Sequence, residues 1–247
     1  MQCKTLYGEP IGKDLWGTGL TMTVDSALHA ATITIKDFDN DNLQKVFNQA
    51  FDKVIPEFFS EVHNRHLEYL ILDLRDNQGG DLKNGVTLLS NLLDTSFQIV
   101  KSYESVDPAT YHIPEARLQP EKGQEEGCHA PMKNNFSGKL FVLINGGTFS
   151  CSSIVCSVLQ QYDRCTFLGE ETGGNPAVMA GGGKHIQLPN TKIDILIPDL
   201  RYTIKSPLFN TGRGISPDHL VVPSTDDLIN HRDPAMEMAY KLIKEKG

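Results

Sequence analysis

The sequence predicts an α/β protein: a mostly parallel sheet covered by helices. Two observations carry this. Residues 69–72 and 140–144 are unbroken apolar runs of strand length, as buried strands require. Around them lie segments whose apolar residues recur at three and four, the helical spacing. Strands that alternate with helices are most simply joined in parallel.

In chain order, residues 32–35 alternate as a strand, and residues 37–42 form a turn rich in helix-capping side chains. Leu43, Val46, Phe47, Ala50, Phe51, Val54, Ile55, Phe58, Phe59 and Val62 then trace the strongest helical pattern of the chain, with a kink expected at Pro56. The run 69–72 leads into Asp73-Leu74-Arg75-Asp76-Asn77-Gln78-Gly79-Gly80; residues 86–93 read as a helix and 97–100 as a strand. Residues 104–137 hold four prolines and an acidic excess and read as one long irregular segment. Residues 166–169 form a strand ending in a glycine turn, 185–188 and 193–197 a hairpin, 212–218 a turn, and 235–243 a closing helix. The core domain is expected over residues 30–247, with residues 1–29 as an N-terminal segment, the tail of an upstream region.

With 247 residues, 39% hydrophobic and 22% charged, the chain is globular. A net charge of −8 without a Lys/Arg cluster argues against a nucleic-acid partner. No apolar run reaches the length of a membrane span, and residues 1–8 lack the apolar core of a signal peptide. Cys3, Cys128, Cys151, Cys156 and Cys165 show no metal-ligand spacing; the last three flank the helix after residue 150 and read as small core residues.

The most informative stretch is Gly146-Gly147-Thr148-Phe149-Ser150-Cys151-Ser152-Ser153. It hands the strand 140–144 to a helix marked by Ile154, Val155, Val158 and Leu159, so Ser150 sits on a tight glycine turn at a helix start. Backbone N–H groups and the helix dipole favour negative charge there. Ser150 is therefore a candidate nucleophile, with the Cys151 N–H placed to bind an oxyanion; an ordinary N-cap serine fits the same pattern. Gly79 and Gly80 would let a backbone approach a ligand closely and expose an N–H, although a plain strand-to-helix turn is also consistent. His63 and His66, three apart with no third ligand in view, read as a solvated helix face. Gly181-Gly182-Gly183-Lys184 lacks the form of a P-loop, and neither a dinucleotide fingerprint nor a metal motif occurs, so no cofactor or metal is expected.

Taken together and in order, the motifs Leu70 to Gly80 ("LIIDLRnNgGG"), Val142 to Ser150 ("vLvnggTfSaa"), Leu168 to Gly174 ("iGeeTgG"), Leu188-Pro189-Asn190 and Gly212 to Asp218 ("GrGvsPD") resemble the C-terminal processing, or tail-specific, serine peptidases and their tricorn-type relatives in the Clp protease/crotonase superfamily. The resemblance implies a crotonase/Clp-like spiral of ββα units and acyl-enzyme chemistry at Ser150. It implies an oxyanion hole from Cys151 and either Gly79 or Gly80. It further implies unfolded or tail-exposed polypeptide substrates and an extracytoplasmic location.

Departures from the family pattern concern the proton acceptor. The processing branch carries a lysine 25 residues after the serine, where this chain has Asn175, and its usual glutamate three residues after the serine is Ser153. The tricorn-like branch uses an upstream histidine motif that is absent here, and Thr211 stands where its glutamate aligns. Lys184 lies nine residues too far along, and His185 is the weakest acceptable internal base. Two readings follow: a serine endopeptidase core whose base is outside this chain or unidentified, or a catalytically inactive relative that binds polypeptides or other ligands. Crotonase-like acyl-CoA chemistry is a third, weaker reading.

Overall fold

A computed structural model describes residues 19–105, 127–205 and 212–245. Its central sheet has six strands: β1 (Leu20–Asp25), β2 (Ala30–Ile35), β3 (Tyr69–Asp73), β5 (Lys139–Ile144), β6 (Cys165–Gly169) and β11 (His219–Leu220), adjacent in that order. Only β1 runs antiparallel to its neighbour; β2, β3, β5, β6 and β11 are parallel. Helices α1 (Phe51–Asn64), α2 (Leu82–Leu92), α3 (Cys151–Gln161), α4 (Thr225–Ile229) and α5 (Pro234–Lys244) complete this layer structure. A second, antiparallel sheet joins β4 (Val100–Ser105), β10 (Leu200–Ile204) and β7 (Val178–Gly181), and β8 (Lys184–Gln187) forms a hairpin with β9 (Asp194–Ile197).

The unbroken apolar runs reflect burial on both faces of the sheet. Leu70, Leu72, Leu140, Val142 and Ile144 point into a core shared with α1, α2 and α3. The alternate residues Ile71, Phe141 and Leu143 pack on the opposite face with Ala235, Ala239 and Ile243 of α5. This is the α/β, mostly parallel, helix-covered architecture that the sequence predicts.

Three local expectations are corrected. The long helical pattern does not kink at Pro56, which lies inside the continuous helix α1. It breaks earlier, where a wide turn over Leu43–Phe47 ends at Asn48 with φ 54°. The break frees the Gln49 amide, which pairs with both the N–H and the C=O of Leu20, each at 2.8 Å, and so fastens β1. The strand expected at 97–100 begins instead at Val100; Phe97 makes an isolated bridge with His129. Only His63 of the histidine pair is helical, since α1 ends at Asn64 and His66 has φ 52°. Strand β1 pairs with β2 along its whole length. No helix among the described residues is long and apolar enough to cross a membrane. Residues 106–126, Cys3 and Thr211 lie outside the described residues.

Candidate active site

Strand β5 ends at Ile144, and Asn145 opens a tight turn. Thr148 closes it: its N–H donates to Asn145 O at 2.9 Å, and its buried hydroxyl donates to Leu74 O at 2.9 Å. The chain then enters α3 through Ser150, whose φ of 52° and ψ of −125° are rare for a residue with a side chain. Such a conformation costs on the order of 1–3 kcal/mol and persists only where its surroundings enforce it. Ser150 stands at the N-cap position of α3, yet its side chain makes no capping bond. Among the described residues, the only hydrogen-bond partner of Ser150 Oγ is Met179 Sδ, at 3.5 Å.

The loop after β3 runs beside this turn because β3 and β5 are parallel neighbours with Asp73 opposite Leu143. Asn145 joins the two loops: its Oδ1 accepts from Asp76 N–H at 2.9 Å, and its Nδ2 donates to Asp76 Oδ1 at 2.9 Å. Phe149 N–H donates to Asn77 O at 2.9 Å. The buried Asn77 side chain donates to Ile35 O at 2.8 Å and accepts Gly79 N–H at 2.8 Å. Gly79 (φ 100°) is pressed against the Ser150 turn; a Cβ there would lie 2.8 Å from Cys151 N. Gly80 (φ 133°) passes so close to the segment before α1 that a Cβ would lie 2.1 Å from Asp39 N.

Two backbone donors flank the Ser150 turn without an acceptor among the described residues: Cys151 N–H, at the start of α3, and Gly80 N–H. Gly79 N–H, by contrast, is taken by Asn77. A hydroxyl beside unpaired N–H groups at a helix start is an arrangement that can stabilise a developing oxyanion. The Cys151 side chain plays no such part: burial pushes its thiol up to about 12, and its sulfur faces Asp81 O at 3.5 Å. An open cleft of about 350 Å³ borders both glycines, with Lys36, Asp37, Asp76 and Gln78 on its walls. Partial burial raises the Asp37 carboxyl above its ordinary value despite the hydrogen bonds it accepts from Asp39 and Asn42.

Among the described residues, none of the positions compared with family bases hydrogen-bonds to Ser150 Oγ. Asn175 Oδ1 accepts from Ala177 N–H at 2.8 Å and Val178 N–H at 3.3 Å, shaping the turn into β7. Ser153 is buried and donates to Thr148 O at 2.8 Å. Lys184 and His185 lie exposed on β8, with no hydrogen bond to Ser150. No cluster of His, Cys, Asp or Glu among the described residues is arranged to hold a metal ion.

Arg75 anchors the loop base. It makes paired bonds to Asp73 (2.9 and 2.7 Å) and to Asp233 (2.8 and 2.7 Å), tying the end of β3 to the N-cap of α5. Burial would lower the Arg75 pKa, but the two carboxylates outweigh it and hold the guanidinium charged. The residues not singled out from the sequence are Asn77, Asn145 and Met179. Each asparagine follows a buried strand and precedes a glycine pair, a signal that was present; Met179 carries none.

Comparison with known proteins matches residues 29–221 to the family model for Peptidase family S41. A tail-specific protease of Haemophilus influenzae is 26% identical over 153 residues, covering 60% of this chain and 20% of that protein. The curated relatives are longer: the chain spans 20% to 32% of the first ones matched. Among solved structures, mature CPAF superposes with a TM-score of 0.61 at 17% identity, over 87% of this chain and 50% of that one. The photosystem II D1 C-terminal processing protease gives 0.52 at 19%, over 83% and 49%. Both structures share the fold.

Proposed function

Since the chain belongs to peptidase family S41, we propose that it is the catalytic core of a serine endopeptidase that cleaves unfolded or tail-exposed polypeptides through an acyl-enzyme on Ser150. The observation that carries this reading is the strained Ser150 turn, whose hydroxyl is withheld from capping the helix it begins. Strain at a residue that performs no structural bond suits a functional role.

In this reading Ser150 Oγ attacks the scissile carbonyl carbon. The carbonyl oxygen gains negative charge and is bound by the Cys151 and Gly80 N–H groups. The serine proton passes to a general base and then to the leaving amine; water releases the acyl group by the reverse path. The group that touches Oγ is not the base of this reading, because a thioether accepts a weak hydrogen bond but not a proton. The extracytoplasmic setting implied by the resemblance is part of the same proposal. Labelling of the native protein with a fluorophosphonate, lost in Ser150→Ala with the fold retained, is the expected result. Equal labelling of Ser150→Ala would overturn the assignment.

One observation favours a second reading, a non-catalytic polypeptide- or ligand-binding module. Asn175 replaces the family lysine and spends its side chain on a turn. A native protein that binds unfolded polypeptide but resists the probe would support this reading over the first.

A further inference from the structure

The contact between Ser150 and Met179 joins a hydroxyl to an oxidisable sulfur. Met179 lies on β7, an edge strand of the three-stranded sheet, with its neighbour Ala180 exposed. Its own side chain is partly buried against the main core, so the residue is packed without being sealed in. The approach to β7 is fixed from several sides. Ser157 Oγ donates to Pro176 O at 3.0 Å, Ile204 N–H to Ala177 O at 2.8 Å, and the Asn175 amide holds the turn between them. Met179 is also in register with Tyr202 of β10. These bonds direct the sulfur at Ser150, whose backbone is equally fixed.

We propose that Met179 is a peroxide-oxidisable modification site that sets the state of the Ser150 hydroxyl. The assignment of a consequence for catalysis rests on the peptidase reading; the site itself rests on the 3.5 Å contact. One sulfur lone pair faces the Oγ–H, and the other attacks a peroxide oxygen. The peroxide O–O bond breaks and an S–O bond forms. The thioether gives up two electrons and becomes a sulfoxide, while hydrogen peroxide is reduced to water, or an organic hydroperoxide to its alcohol. A sulfoxide oxygen is a far better acceptor than a thioether, yet too weakly basic to take the serine proton. It therefore holds the hydroxyl as a donor and fills space before the nucleophile. The change is chemically reversible by methionine sulfoxide reduction.

The first measurement needs no catalytic activity. The protein is treated with limiting hydrogen peroxide, and sulfoxide at Met179 is compared by peptide mapping with that at Met132, which is 50% exposed. In Ser150→Ala the sulfur loses its donor, so the Met179 to Met132 ratio should rise about two- to fivefold, the worth of one weak hydrogen bond. An unchanged ratio overturns the site. The second measurement follows fluorophosphonate labelling of the native protein before and after peroxide. Labelling should fall as Met179 is converted, and Met179→Leu should keep its own starting level through the same treatment. Equal loss in Met179→Leu overturns the proposal. Absence of labelling before peroxide would count against the peptidase reading, while the oxidation ratio still upholds or overturns the Met179 site.

Discussion

A Cβ placed on Gly79 would stand 2.6 Å from the Ser150 Cβ. The two loops therefore meet at van der Waals contact only because one of them carries no side chain. Gly79→Ala should push the turns apart and displace the oxyanion donors, lowering fluorophosphonate labelling by about 100-fold, the range for loss of one such donor. Gly146→Ala is the control, since nothing lies within 4 Å of a Cβ there; it should label like the parent. Labelling of both variants at the parental rate would remove Gly79 from the site.

The strain at Ser150 predicts an inverted stability order. At an ordinary position alanine is more stable than glycine by roughly 0.5–1 kcal/mol. At φ 52° the order should reverse. Ser150→Gly should exceed Ser150→Ala by about 1 kcal/mol, a Tm difference of about 2–4 °C for a domain of this size. Thermal melts of the two variants provide the comparison.

Cys151 should matter through its backbone. Cys151→Ala keeps the N–H and should retain labelling, whereas Cys151→Pro removes the N–H at a first-turn position where helices accept proline and should lose labelling while α3 stays folded by circular dichroism. Because burial lifts the thiol to about 12, Cys151 should stay unalkylated at pH 8 while exposed Cys128 reacts, as peptide mapping of iodoacetamide-treated protein would reveal.

Arg75 predicts an acid-sensitive contribution to stability. Burial acts to raise the Asp233 carboxyl, but the bonds from Arg75 and Met236 N–H outweigh it and leave the folded value below the ordinary 3.8. A depressed folded value means stabilisation that is full above the unfolded value and fades as pH falls through the folded one. Arg75→Gln should therefore cost roughly 1–2 kcal/mol at pH 7, because Asp73 is buried but Asp233 is part-exposed and its share of the pair is screened by solvent. Below about pH 4 that cost should shrink as Asp233 protonates. Urea titrations of both proteins at pH 7 and pH 3 test this, and a pH-independent difference would contradict it.

The parallel sheet was legible because burial on both faces leaves continuous apolar runs, and the Ser150 turn because glycines and a helical period meet there. The break at Asn48 was not, since the apolar spacing continues across it. What decides it is the Gln49 side chain reaching Leu20, 29 residues away in sequence. The Arg75–Asp233 pair spans 158 residues, and the Met179 contact joins the Ser150 turn to the three-stranded sheet through an unremarkable methionine. Neither leaves a periodic trace. Sequence spacing placed Gly79 and Gly80 on equal terms; only the Asn77 amide, which takes the first N–H, separates them.

The link between the two site loops runs through backbone and amide groups: Phe149 N–H to Asn77 O, the Thr148 hydroxyl to Leu74 O, and Asn145 Oδ1 to Asp76 N–H. None of these groups changes charge in ordinary buffers. These three links between the Ser150 turn and the Gly79-Gly80 loop hold no titrating group, and they keep their shape whichever group removes the serine proton. In such an assembly the proton acceptor is an exchangeable part. Replacing a lysine by a histidine, or moving the base to another segment, would shift the pH optimum of hydrolysis without rebuilding the surface that binds the transition state.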